Sequence, residues 1–165
     1  MGNWYNVVGD KDFNGDDYRC ATATYTLKKD EWWNPYPVEV LNRKDSGGSV
    51  SDGKCNGIFG RQACARARCT WGNGACNVKF GLAPDANYLI LDVDYDSHAL
   101  IYNCDTWLGL FYTNAMWINS RAGTISDANK SNLKNILKDR VPSFIYPADE
   151  QMVDVDQVTN CNYGF

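Results

Sequence analysis

One histidine, seven cysteines and twenty carboxylates in 165 residues bound the chemistry open to this chain. His98 is the sole imidazole, so a Ser-His-Asp relay has a single candidate base, placed beside a turn. A haem or metal role for that lone ring is not expected. Asp10-Lys11-Asp12-Phe13-Asn14-Gly15 matches the first half of a calcium loop. The twelfth position is Ala21 where a bidentate Glu belongs, so the segment reads as an acidic turn. Cys55, Cys64, Cys69 and Cys76 could in principle hold zinc, but they lack C-x2-C spacing and a nearby His. Two local bridges across adjacent strands are the favoured reading, with their connectivity open. No glycine-rich phosphate loop is present. Neither a metal nor catalysis is therefore expected. An enzyme would need a reactive thiol inside an enclosed site, and no base stands near any Cys in the sequence.

Seven cysteines are many for a reduced compartment and ordinary for a disulfide-stabilised secreted chain. Met1-Gly2-Asn3-Trp4-Tyr5 carries no charged or apolar leader, so the chain reads as the trimmed mature form of a secreted protein. The sequon Asn129-Lys130-Ser131 fits that compartment. The odd cysteine count leaves at least one thiol without an internal partner. Length points to one domain over residues 1–165. A 44% hydrophobic content with a net charge of −4 is a globular balance. No apolar run approaches the ~18 residues of a membrane span. The acidic total argues against a nucleic-acid partner. The charge is uneven, with +5 in residues 43–79 and −9 elsewhere.

Short strands separated by turn residues fill most of the chain. Strand-like segments occur at 4–8, 19–27, 38–43, 50–59, 63–70, 76–82, 87–95, 98–104 and 110–120. Trp71-Gly72-Asn73-Gly74 and residues 94–97 read as hairpin turns. One segment is helical in pattern. Ser126 can cap a helix running to about Arg140, with Ile125, Ala128, Leu133, Ile136 and Leu137 on one stripe. Val141-Pro142 stops it.

Three pieces in this order resemble the lipocalin family. They are Gly2-Asn3-Trp4-Tyr5, the turn Leu91-Asp92-Val93-Asp94-Tyr95-Asp96, and Arg121 just before the helix. Val93 stands where the family pattern has Thr. The nearer likeness is to the apolipoprotein D and bilin-binding branch. It runs through Cys20-Ala21-Thr22-Ala23-Thr24-Tyr25, residues 38–43, 98–104 and 133–137, and Asp156-Gln157-Val158 before Cys161. The resemblance implies an all-β fold: an eight-stranded antiparallel up-and-down calyx barrel, with one C-terminal α-helix (about 126–140) packed outside. It implies structural roles for Gly2, Trp4, Asp94 and Arg121, the last stacked on Trp4. It also implies a Cys20–Cys161 bridge, and it leaves Cys104 as the candidate unpaired thiol.

A barrel of this size encloses one small ligand. If Arg121 reaches inward to Trp4, alternation turns Asn119, Trp117, Ala115 and Thr113 inward as well. The resemblance adds Tyr25, Phe80, Tyr88, Ile90, Leu100 and Tyr102 as lining residues. Trp32, Trp33 and Tyr36, between Pro35 and Pro37 and the preceding strand, could form a mouth loop or a shielding turn. Arg66 and Arg68 share one strand face. Outward, they would be a solvated edge; inward, they could bind a ligand carboxylate. The expected function is extracellular binding and transport of a small hydrophobic ligand, leaning to a biliverdin-like bilin. The alternatives are a carrier of retinoid, steroid or fatty acid, an enzyme on the same fold, or a protein-interaction module. No cofactor is required, and an oligomer is compatible with the sequence.

Overall fold

The structure, a computed structural model, describes residues 1–11, 19–29, 33–45, 62–70, 72–107, 111–142 and 152–163. Eight strands follow in order: β1 (Gly2–Asp10), β2 (Arg19–Leu27), β3 (Val38–Asp45), β4 (Gln62–Cys69), β5 (Ala75–Lys79), β6 (Ala86–Asp94), β7 (His98–Trp107) and β8 (Phe111–Ser120). The strand expected over 50–59 lies outside the described residues, as do Trp32, Cys55 and residues 12–15 of the acidic turn. Each strand pairs antiparallel with the next, and β1 pairs with both β8 and β2, which closes the barrel. The β1–β2 seam is paired over Gly2–Tyr5 and Thr22–Tyr25. A short β9 (Met152–Asp154), not anticipated from sequence, pairs antiparallel with the edge of β1 over Val8–Asp10.

The helix α1 (Asp127–Arg140) begins where Ser126 accepts a hydrogen bond from the Asn129 N–H at 3.2 Å. Lys138 and Arg140 in its last turn favour the helix dipole. Its apolar stripe buries Leu133 and Leu137 against Val8, Leu100, Met116 and Ile118 on the outer barrel wall. No helix among the described residues is long and apolar enough to cross a membrane.

Loops of an up-and-down barrel alternate between its two ends. Gly2 pairs with Tyr25, and Leu27 with Val38, so the N-terminus and the β2–β3 connection share one end. Arg121 ties the β6–β7 turn to that end by donating to the Tyr95 and Met1 carbonyls. Trp4 plugs this end, and the β5–β6 loop belongs to the other. The β2–β3 connection that carries Trp33 and Tyr36 therefore starts from the closed end, and the Tyr36 side chain runs over the outer face to Asp85. Trp33 is two-thirds exposed.

The C-terminal segment wraps the β1–β2 wall. Gln157 is buried and donates through Nε2 to the Asn6 and Ala21 carbonyls at 2.6 and 2.9 Å. The Cys20–Cys161 disulfide fixes this arrangement, and the Tyr163 ring meets Tyr5 edge-on at 5.0 Å. Asp156 starts the final turn. Hydrogen bonds from the Thr159 side chain and from the Thr159 and Val158 N–H groups hold its carboxyl at about 2. Its ordinary value is 3.8, so the stabilisation is complete above that pH and is lost as pH falls toward 2. Asp156→Asn is expected to flatten the pH dependence of stability between about 4 and 2, measured by urea unfolding at each pH.

Candidate functional site

The lumen is built by alternation on each strand. Trp4, Ala99 and Ile101 pack together with Tyr25, Tyr88, Val93 and Trp117. Val38, Val40, Ala65, Ala67 and Val78 form a second inner cluster with Tyr25, Tyr88 and Phe80. Tyr25 and Tyr88 belong to both clusters and join the two halves. Ala23 pairs with Trp4, and Ala115 with Asn103, so five alanines (Ala23, Ala65, Ala67, Ala99 and Ala115) face inward. Small side chains at these positions take up less of the barrel interior than larger ones would.

Ile90 pairs with the inward Ile101 just before a bulge in β6. Gly74 closes against it. A Cβ there would lie 2.4 Å from the Ile90 carbonyl oxygen, and the backbone has φ +68°, so only glycine fits.

Two lining assignments are corrected. Leu100 and Tyr102 face outward, under α1, with Met116, Leu133 and Leu137. The β7 residues facing the lumen are Ala99 and Ile101, and Ile101 lies directly opposite Trp117. The ligand-contact assignment of Arg66 and Arg68 is also corrected. Both are exposed, because Ala65 and Ala67 take the inner face of β4. Tyr36 lies outside with them. Its ring sits 5.6 Å from the Arg68 guanidinium carbon and 5.9 Å from Lys79 Nζ, and its hydroxyl donates to Asp85.

Two pairs of uncharged polar groups face the lumen. Asn6 Nδ2 donates to Asn119 Oδ1 at 3.1 Å. The Asn119 side chain also acts on the Tyr25 hydroxyl, drawing its pKa down against the larger rise from burial. The Tyr25 and Tyr88 hydroxyl oxygens lie 2.6 Å apart, one donating to the other. Burial pushes both phenols up, and for Tyr88 the proximity of Tyr25 adds to the rise, so both stay neutral. Asn6 Oδ1 is buried without a partner among the described residues. Parity from Arg121 led to Asn119, but the linkage to Asn6 across β1 needs the register Asn6↔Asn119.

The closed end is a locking device. The Arg121 guanidinium carbon lies 3.7 Å from the Trp4 ring centroid. Arg121 Nη1 donates to the Asn3 carbonyl at 2.8 Å. Gly2, at φ +89°, brings the backbone close to this side chain. Asp94 closes the β6–β7 turn by accepting from the Asp96 N–H and the Ser97 hydroxyl at 3.0 and 2.8 Å. Those bonds hold its carboxyl below its ordinary value.

His98 stands here between Ser97 Oγ (2.8 Å) and Asp92 Oδ2 (3.0 Å). Ser97 Oγ also lies 2.8 Å from Asp94 Oδ2, so these side chains tie the β6–β7 turn together.

Three of the four cysteines considered for zinc, Cys64, Cys69 and Cys76, are in disulfides. Cys69 bridges Cys76 directly across the β4–β5 pair, and Cys64 is also disulfide-bonded. Cys104 is half-buried and remains a thiol.

No protein-family model matches the chain. Bovine (Bos taurus) apolipoprotein D is 30% identical over 162 residues, covering 98% of this chain and 76% of that protein. Rat (Rattus norvegicus) apolipoprotein D is 40% identical over 138 residues, 83% of this chain and 66% of its own length. Among solved structures, apocrustacyanin C1 superposes with a TM-score of 0.69 at 15% identity, covering 99% of this chain and 80% of that one. Insecticyanin of the tobacco hornworm Manduca sexta gives 0.66 at 20% identity, over 99% and 82%. The order of strands, the Trp4–Arg121 plug, the outer helix and the similarity to apolipoprotein D agree: the chain belongs to the lipocalin family.

Proposed function

We propose that this lipocalin is an extracellular carrier that holds one small lipophilic ligand in its barrel, with a bilin as the leading candidate. The observation that supports it is the inner wall. Aromatic rings, aliphatic side chains and five inward alanines surround a lumen that also carries neutral polar tips. Such a wall desolvates an apolar body and orients it with a few hydrogen bonds. The mechanism is burial, with no bond made or broken. Disulfides fit an oxidising compartment. The bilin preference rests on the resemblance to the apolipoprotein D and bilin-binding branch. Retinoids, steroids and fatty acids are the other cargo classes.

The test is an absorption spectrum and native mass spectrum of protein purified from its source, followed by titration with biliverdin, retinol and a long-chain fatty acid. A bound pigment, or biliverdin uptake in the micromolar range or tighter, is the expected result. Protein that arrives empty and takes up none of the three defeats the carrier reading.

A further inference from the structure

We infer that the lumen is built to receive a neutral, hydrogen-bonding head group, a hydroxyl, carbonyl or pyrrole-type N–H, and to refuse a carboxylate at its closed end. The inference rests on the carrier reading and adds the chemical class and orientation of the cargo. Its basis is two inward polar pairs, Asn6–Asn119 on β1 and β8 and Tyr25–Tyr88 on β2 and β6. Asn6 and Asn119 are 7% and 4% exposed, so this polarity is enclosed by the barrel.

Both pairs are unfinished. Asn6 Oδ1 is a buried acceptor without a partner among the described residues, and such a group is costly unless something donates to it. In the other pair, the two tyrosine hydroxyls share one mutual bond, which engages only one of their two protons. A ligand group that donates or accepts while remaining neutral completes either pair.

A carboxylate cannot do so. It would face the Asn6 acceptor with a lone pair and lose its hydration, and among the described residues no cation packs beside Asn6 and Asn119 to replace it. Arg66 and Arg68 point to solvent on the far side of β4. Arg121 is committed to Trp4 and to three backbone carbonyls beneath the floor. Toward the other end, Asp105 accepts from the Asn87 N–H and from Asn103 Nδ2, adding an acidic group to that side. A bilin held this way enters with its lactam and pyrrole edge first and leaves its propionates in water.

Three probes share one polyene: retinol, retinoic acid and axerophthene, which has no head group. Titration by tryptophan quenching is expected to show retinol binding at least about tenfold more tightly than retinoic acid. Tyr88→Phe and, separately, Asn6→Leu are expected to weaken retinol about fivefold and leave axerophthene unchanged. Melting curves of each variant report folding, and the wild-type ratio needs no variant. If biliverdin binds and retinoids do not, its dimethyl ester is the neutral probe, expected to bind as tightly as the acid. Retinoic acid equal to retinol, or an ester bound tenfold more weakly than biliverdin, overturns the inference and leaves the carrier intact. Failure of every probe to bind removes the carrier reading itself.

Discussion

Replacing Leu100 by alanine is expected to lower stability by about 2–5 kcal/mol while leaving ligand affinity within twofold of wild type. Leu100 has no exposed surface and packs with Met116, Ile118, Leu133 and Leu137 between the barrel wall and α1. Truncation removes buried methyl groups and leaves a cavity that a helix pinned at both ends closes only in part. None of these partners faces the lumen. The same truncation at Ile101, one residue further along β7, removes a side chain that packs with Trp4 and Trp117 inside the barrel. That variant should weaken retinol or biliverdin binding as well as stability. Urea unfolding and ligand titration on the two proteins separate the faces. A Leu100→Ala protein that loses tenfold in affinity with little change in stability would return Leu100 to the cavity wall.

The difficulty with Leu100 shows how sequence and structure divide the work. Period-two alternation says which residues share a face, and an anchor is needed to say which face is inner. On β8 the anchor was Arg121. Its stacking on Trp4 leads by twos to Asn119, Trp117 and Ala115, the side on which they pack. On β7 the lining was carried over from the resemblance, and no anchor corrected it. The opposed pair Ile101↔Trp117 is that anchor, but it depends on a register that no local feature of the chain reveals. On β4 the alternation Ala65-Arg66-Ala67-Arg68 was visible, yet alanine is too small to mark a core by its hydrophobicity. Only its neighbours Val38, Val40 and Val78 show that the alanines face in. For Trp33 and Tyr36 the sequence leaves a mouth loop and a shielding turn open, and the topology favours the turn. A connection after the second strand returns to the end where the first strand began, and Gly2 with Trp4 marks that end as closed.

The bulges explain a further part of what stayed hidden. In β6 the register shifts between Ile90 and Asp92, so Tyr88 and Val93 face inward although they differ in parity. A second shift between Asn6 and Val8 lets β1 present Trp4 and Asn6 to the lumen and then Val7 and Val8 to the helix side. Each shift reverses the faces of everything beyond it. The two polar pairs are assembled from four strands on either side of such shifts. Their members could be named as polar residues near inward positions, while their contact required the register.

Removing the Cys20–Cys161 bridge is expected to have the other large effect. The chain-entropy model gives about 5 kcal/mol for a loop of 141 residues separation and about 2.5 kcal/mol for the seven-residue separation of Cys69–Cys76. The double variant Cys20→Ala with Cys161→Ala should therefore lose roughly twice as much stability as Cys69→Ala with Cys76→Ala. The long bridge also acts on the folded state. It holds the segment whose Gln157 satisfies the Asn6 and Ala21 carbonyls and whose Asp156 carbonyl accepts the Cys20 N–H at 2.7 Å. Asn6 belongs to one of the inward polar pairs, so loosening this segment should reach the lumen and weaken retinol binding. Loss of the short bridge should change affinity less, because the β4–β5 hydrogen bonds still hold that hairpin. Urea unfolding of both double variants, with retinol titration of each, measures the difference. Equal losses of stability would show that strain or denatured-state structure, rather than loop length, governs the two bridges.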